Sequence, residues 1–85
     1  TYKAVYNHAL DFAHTLRKEG VKKGDRVIIF YENSIEFYIA YFSVWLAGGI
    51  VAPLNVFLTE HEFLKIVEDA QPRVIIISPH LKEKI

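Results

Sequence analysis

The sequence contains no cysteine and no methionine, and its charges cancel, with ten Lys and Arg against ten Asp and Glu. Without cysteine there is no disulfide framework, no thiolate metal site and no catalytic thiol. A net charge of zero argues against a nucleic-acid-binding module, which normally carries a basic patch for phosphates. No signal peptide is recognisable. We therefore expect a cytoplasmic protein and, because methionine is absent, a segment cut from a larger one.

Hydrophobic residues are abundant, at 52% of the chain, and this content excludes disorder. A chain of this length buries only about 60–65% of the surface that it exposes when unfolded. Its twelve aromatic side chains are more than such a small core hides. We expect further protein to cover part of the apolar surface.

The uncharged stretch 37–58 reaches the length of about 20 residues that a membrane-spanning helix needs. Gly48, Gly49 and Pro53 interrupt it, and Asn55 lies near its end. These interruptions favour a helix, a glycine stop, a short strand and a loop over a single span. A membrane segment remains the less favoured alternative.

The apolar pattern predicts helices that alternate with strands. A first helix is expected between an N-cap at Thr1 and a stop at Gly20, because apolar residues recur at spacings of three and four: Tyr2, Val5, Ala9, Phe12, Ala13 and Leu16. A second is expected over about 35–47, capped from residues 32–34, and it is apolar nearly all round, which predicts burial on most sides. A third follows the Thr59–Glu62 capping box and stops before Gln71-Pro72; its expected buried face is Phe63, Leu64, Ile66 and Val67.

Three short stretches, 27–30, 50–52 and 74–77, are apolar throughout. Continuous apolar runs predict strands covered on both faces, as in a parallel sheet. With the helices between them, they predict an α/β fold that forms part of a parallel, doubly wound sheet with right-handed crossovers. No internal boundary divides residues 1–85, which we interpret as one fragment of a larger domain.

No catalytic constellation is recognisable. His61-Glu62 opens like the zinc pattern H-E-x-x-H, but residue 65 is Lys. We interpret all four histidines as surface or satisfied groups, and Glu60 and Glu62 as first-turn charges that the helix dipole favours. None of the serines lies in G-x-S-x-G. Gly48-Gly49 follows a helix, the wrong place for a phosphate loop.

Several stretches correspond to known motifs in order and at the same spacing. Residues 1–5 look like T-Y-x-E-L, with Ala4 in place of Glu, and residues 20–27 match G-V-x-x-G-D-x-V. Residues 33–37 match N-S-x-E-F, and residues 46–55 look like K-A-G-A-x-x-x-P-L-N, with Leu46 in place of Lys. Together they resemble the N-terminal part of the adenylate-forming ligases, which include AMP-forming acyl-CoA synthetases, peptide synthetase adenylation domains and luciferases.

The resemblance implies that the complete protein activates a carboxylate, with a fatty acid favoured, using ATP and Mg²⁺ to form an acyl-adenylate and pyrophosphate. The acyl group then passes to the thiol of CoA and AMP is released. The family's Ser/Thr/Gly-rich loop and later Asp, Arg and Lys residues lie outside this chain. We therefore assign no catalytic, cofactor-binding or metal residue here and expect the segment alone to be inactive.

The resemblance also carries a weaker implication for CoA. In some CoA ligases the loop after the second motif and the following strand end help hold the CoA nucleotide. The corresponding places are residues 55–57 and Lys82 or Lys84. The alternative interpretation is that these are ordinary surface lysines.

Two alternatives to a CoA ligase stay open. A truncated ligase-like fold could act as a non-enzymatic binding or assembly module through its apolar second helix, or the parent could be an adenylation domain that loads a carrier protein. In the main hypothesis the remainder of the N-terminal domain packs on the second helix. The isolated fragment then exposes Phe37, Tyr41, Phe42 and Trp45 and is expected to self-associate.

Overall fold

The computed structural model describes residues 2–83, apart from the side chain of Tyr2, so the expected N-cap at Thr1 lies outside the described residues. Helices and strands alternate as the sequence predicts. In chain order they are α1 (Tyr2–Lys18), β1 (Arg26–Phe30), α2 (Ile35–Leu46), β2 (Ile50–Pro53), α3 (Glu60–Ala70), β3 (Val74–Ile77) and α4 (Pro79–Lys82).

The strands form a parallel three-stranded sheet in the order β2-β1-β3. Val27 of the central strand lies opposite Val51 on one side and Val74 on the other. Since successive side chains of a strand point to opposite faces, β1 supplies both faces of the core.

Helices cover both faces of the sheet. Val27 and Ile29 pack in one cluster with buried residues of α1 and α2, including Leu16 and Val44. Ile28 and Phe30 pack in a second cluster with Phe63 of α3, and Leu81 of α4 lies against that cluster. The predicted parallel, doubly wound α/β architecture is confirmed.

Burial differs between the central and the outer strands. Residues 27–30 of β1 are fully buried, whereas most positions of β2 and β3 are only partly covered. The expectation of strands covered on both faces holds for β1 alone. The outer strands each pair on one side only within residues 2–83.

The predicted helix ends are confirmed where the structure describes them. Gly20 follows α1 with a φ of +98°, a left-handed conformation that costs glycine little. The Ser34 hydroxyl caps α2, and Thr59 and Glu62 form the reciprocal capping box of α3. Gln71 ends α3 at a φ of +47°, directly before Pro72, which cannot continue a helix.

Helix α2, which is apolar nearly all round, is left largely uncovered within the described residues. Only Ala40, Ser43 and Val44 are buried along it. Its closest neighbours are α1 and the sheet, and its exposed sides carry Tyr38, Tyr41, Phe42 and Trp45. Leu64 of α3, expected on the buried face, is also 49% exposed. The expected exposure of Tyr41, Phe42 and Trp45 in this chain is confirmed, whereas the expected burial of Leu64 is wrong.

The uncharged stretch 37–58 is not a single span. It comprises most of α2, a turn at Gly48 with a φ of +88°, strand β2 and the loop that follows. Within residues 2–83, every helix is too short or too polar to cross a membrane.

Candidate functional site

The candidate site is the crevice between the carboxyl ends of β1 and β3. The chain leaves β1 toward α2 on one face of the sheet and leaves β3 toward α4 on the opposite face. In open α/β sheets, ligands bind at the carboxyl ends of strands where neighbouring connections diverge in this way. With the strand order β2-β1-β3, that point lies between β1 and β3.

A hydrogen bond spans this crevice. The Ser78 hydroxyl, directly after β3, donates to Oε1 of Glu32, two residues after β1, at 2.6 Å. Ser78 is fully buried and Glu32 is half-buried. The backbone N–H of Ser78 also donates to the carbonyl of Phe30 at 3.0 Å. The two loops are therefore tied together by side chain and by backbone.

Ser34 fixes the β1–α2 loop from its other end. Its hydroxyl donates to the Glu32 carbonyl at 3.0 Å and accepts the N–H of Phe37 at 3.2 Å. No buried side-chain polar atom of the described residues lacks a hydrogen-bond partner. These residues hold the loops in place.

A serine hydroxyl that is hydrogen-bonded to a carboxylate is one arrangement of a nucleophile and its base. The burial of Ser78 argues against that role here. A nucleophile must reach substrate, and the exposed fraction of Ser78 is 0%. The bond between Ser78 and Glu32 instead holds the loop after β1 and the loop after β3 in position. Sequence reasoning did not find the pair, because Glu32 and Ser78 lie 46 residues apart and belong to no local motif.

The residues considered for CoA lie at the same edge of the sheet but on opposite sides of β1. Asn55 follows β2, and its Oδ1 accepts the N–H of Phe57 at 2.8 Å. Lys82 is exposed at the end of α4, and Lys84 lies outside the described residues. Strands β2 and β3 are two spacings apart, about 10 Å. The carboxamide oxygen of Asn55 accepts a hydrogen bond within its own turn, and the side chains of Asn55 and Lys82 are both exposed to solvent.

The histidines and glutamates lie where the sequence predicts. His8, His14, His61 and His80 are all exposed. Oε1 of Glu62 accepts the N–H of Thr59 at 2.9 Å, which assigns this carboxylate to the capping box. No group of three or more His, Asp or Glu residues within 2–83 is arranged to hold a metal ion.

An apolar groove of about 150 Å³ lies on the outer surface between α1 and α2. The helices line it with six residues: Val5, Tyr6, Ala9, Phe42, Trp45 and Leu46. Trp45 is 68% exposed and Tyr6 52%. The contribution of α1 was missed from the sequence. The signal for it was Tyr6, a large apolar residue that lies off the predicted buried face of α1.

Replacing Ser78 with alanine tests the bond across the crevice. We expect the free energy of unfolding to fall by about 1–3 kcal/mol, because the half-buried Glu32 carboxylate loses its donor. Ser43→Ala is the matched control. Ser43 is equally buried, but its hydroxyl donates to the Ala40 carbonyl of its own helix at 2.7 Å, so we expect a loss of less than about 1 kcal/mol. Equal losses in urea denaturation would contradict this account of Ser78.

The amino-acid sequence of the chain is similar to those of known enzymes. The sequence matches the AMP-binding enzyme family over residues 1–85. It is 41% identical over 76 residues to a long-chain-fatty-acid–CoA ligase of Bacillus subtilis, covering 89% of this chain and 14% of the relative. It is 32% identical over its whole length to a mycosubtilin synthase chain of Bacillus subtilis, of which it covers 3%.

Solved structures share the fold. A benzoate CoA ligase from Burkholderia xenovorans superposes with a TM-score of 0.95 at 24% identity, covering 100% of this chain and 17% of that one. ATP-bound MatB from Rhodopseudomonas palustris gives 0.88 at 31% identity, covering 98% of this chain and 16% of that one. The chain thus spans less than a fifth of the length of each of these relatives.

Proposed function

The chain belongs to the AMP-binding enzyme family, and from that premise we propose that the complete protein is an AMP-forming acid–thiol ligase. In the first half-reaction, the substrate carboxylate attacks the α-phosphorus of ATP and pyrophosphate leaves. In the second, a thiol attacks the acyl carbon and AMP leaves. AMP is a far better leaving group than carboxylate oxygen. The observation that supports this proposal is the family match over every residue of the chain.

The present chain contributes scaffold to that reaction. It supplies three parallel strands, with their carboxyl-edge loops held by Glu32, Ser34 and Ser78. The described residues offer neither a metal-holding group nor a phosphate-cradling glycine loop. We propose that ATP and Mg²⁺ are bound by other parts of the complete protein, to which the resemblance assigns the Ser/Thr/Gly-rich loop and the later Asp, Arg and Lys residues. We also place the protein in the cytoplasm, where ATP and CoA are available.

A fatty acid is the substrate that we propose, with CoA as the thiol. The support is the 41% identity to a protein named long-chain-fatty-acid–CoA ligase. The Pro53-Leu54-Asn55 ending of the second motif is also more typical of acyl- and aryl-CoA ligases than of peptide synthetase domains. Lys82, exposed at the carboxyl edge, is the described cation that suits a CoA phosphate.

Thioester formation tests the substrate and the acceptor together. The complete protein is incubated with ATP, Mg²⁺, CoA and one acid at a time from a fatty and aromatic panel, and AMP and acyl-CoA are measured by mass spectrometry. We expect equal amounts of both with a fatty acid. Acyl-CoA from aromatic acids alone would contradict the proposed substrate class while leaving the ligase chemistry intact.

A carrier-protein acceptor is the second candidate. It is favoured by the 32% identity to the mycosubtilin synthase chain across the whole of this sequence. In that case AMP would form only when a carrier protein with a phosphopantetheine thiol replaces CoA. A protein that releases no AMP with either acceptor would instead favour the non-enzymatic module.

We also propose that the rest of the domain covers the apolar surface of α1 and α2. This surface contains the groove and the residues around it, and Phe42 and Trp45 are 50% and 68% exposed there. Exposed apolar patches of this kind drive association. The chain by itself is therefore expected to self-associate through the same surface.

A further inference from the structure

Ser78 occupies the N-cap position of α4, but its hydroxyl does not cap that helix. A serine at this position normally accepts an N–H of the first turn through its side chain. Here the hydroxyl instead donates to Oε1 of Glu32 at 2.6 Å, across the crevice to the loop after β1. A local cap would stabilise α4 alone, whereas the observed bond links α4 to the neighbouring loop.

Ser78 also attaches α4 to the sheet through its backbone. Its N–H donates to the carbonyl of Phe30 on the central strand at 3.0 Å. Its carbonyl accepts the N–H groups of Leu81 and Lys82 at 3.0 and 2.9 Å. The backbone of Lys82 is therefore hydrogen-bonded to a residue that is itself fixed to β1 and to Glu32.

Helix α4 has few other contacts that fix its position. It contains four residues, Pro79–Lys82, and isolated helices shorter than about 12–15 residues are marginal in water. Of its side chains only Leu81 is partly buried, against the cluster that contains Phe63. Within the described residues, the position of α4 therefore depends on Leu81 and on the bonds of Ser78.

The loop after β1 is itself well anchored. Glu32 follows the buried end of β1, and its carbonyl accepts the hydroxyl of Ser34 at 3.0 Å. Ser34 in turn caps α2 by accepting the N–H of Phe37 at 3.2 Å. A carboxylate held in this way can fix the hydroxyl of Ser78, and hydrogen bonds to an ionised acceptor are stronger than those between neutral groups.

We propose that Glu32 and Ser78 are positioning residues that hold Lys82 for the phosphates of CoA. The proposal rests on the proposed ligase function and on the assignment of Lys82 within it. An ammonium group attracts phosphate as a point charge, so its contribution depends on where α4 places it. Neither Glu32 nor Ser78 contacts CoA, and both act through α4.

The affinity of the complete protein for CoA, measured by titration calorimetry, tests this role. Lys82→Ala is expected to raise the dissociation constant about tenfold, the loss of one charge-assisted hydrogen bond. Ser78→Ala is expected to raise it about three- to tenfold, but by less than about twofold when Lys82→Ala is already present, because the two residues act together. Ser43→Ala removes the equally buried hydroxyl of α2 and is the control, with an expected change of less than about twofold.

Two substitutions of Glu32 separate the hydrogen bond from the charge. Glu32→Ala and Glu32→Gln both remove the negative charge, but the carboxamide oxygen of glutamine still accepts the hydroxyl of Ser78. CoA is expected to bind Glu32→Gln at least about threefold more tightly than Glu32→Ala. Acid-dependent ATP–pyrophosphate exchange, which needs no CoA, is expected to stay within about twofold in every variant. A merely structural role would lower exchange and CoA affinity together.

Four results would overturn the proposal. They are a folded Ser78→Ala variant that binds CoA like the wild type, a CoA affinity that Lys82→Ala leaves unchanged, additive losses in the double variant, and a parallel loss of exchange. If Ser78→Ala does not fold, equal CoA affinities of Glu32→Ala and Glu32→Gln overturn it instead. A wild type that binds no CoA overturns it as well. A wild type that shows these CoA effects but no exchange with any acid would contradict the proposed ligase function and leave the positioning role standing.

Discussion

Replacing Phe30 with alanine is expected to lower the free energy of unfolding of the chain by about 3–5 kcal/mol. Phe30 lies on the central strand, has an exposed fraction of 0%, and stacks on Phe63 with the ring centroids 4.7 Å apart. Its removal leaves a cavity between β1 and α3. Domains are stable by only about 5–15 kcal/mol, so we expect most of the cooperative unfolding transition in urea to be lost.

Phe57→Ala is the matched control for this change. Phe57 lies in the β2–α3 loop and is 85% exposed. The same truncation there is expected to change the free energy of unfolding by less than about 0.5 kcal/mol. If Phe30→Ala unfolded at the urea midpoint of Phe57→Ala, the placement of Phe30 in the core would be wrong.

Adjacent aspartate substitutions in α2 are expected to have opposite effects. Val44 faces the sheet with an exposed fraction of 0%, so Val44→Asp buries an unpaired carboxylate and is expected to cost more than about 4 kcal/mol and unfold the chain. Trp45, the next residue, is 68% exposed in the apolar groove. Trp45→Asp is expected to keep the fold and weaken self-association of the chain.

Circular dichroism and light scattering separate these outcomes. The wild-type chain is expected to show a mass that rises with concentration, and Trp45→Asp a mass close to the monomer. A wild-type chain that stays a monodisperse monomer at high concentration would contradict self-association. In the complete protein Trp45→Asp is expected to be destabilising, because the proposal places the remainder of the domain on this surface.

The order of the elements could be predicted from the sequence because its signals are local. Apolar runs of four residues, the Thr59–Glu62 capping box and the glycine after α1 each act within one turn or one strand. These signals located the strands at 27–30 and 74–77 without knowledge of their partners. Parallel pairing followed from the alternation of helices with strands.

The faces of α2 and the crevice bond could not be predicted in the same way. Large apolar residues lie on all sides of α2, so periodicity does not show which side is covered. The residues buried along it are Ala40, Ser43 and Val44, two of which are small. The bond between Ser78 and Glu32 depends on β3 crossing over to the far side of β1. Such a contact is set by topology, to which no short motif corresponds.

Carboxylate-dependent exchange between ATP and labelled pyrophosphate, catalysed by the complete protein without CoA, tests the central claim most directly. It isolates the adenylation step from the choice of thiol. The account predicts exchange that appears only when an acid is added, with fatty acids the most effective. A folded protein that binds ATP but gives no exchange with any acid of the panel would contradict the proposed ligase chemistry.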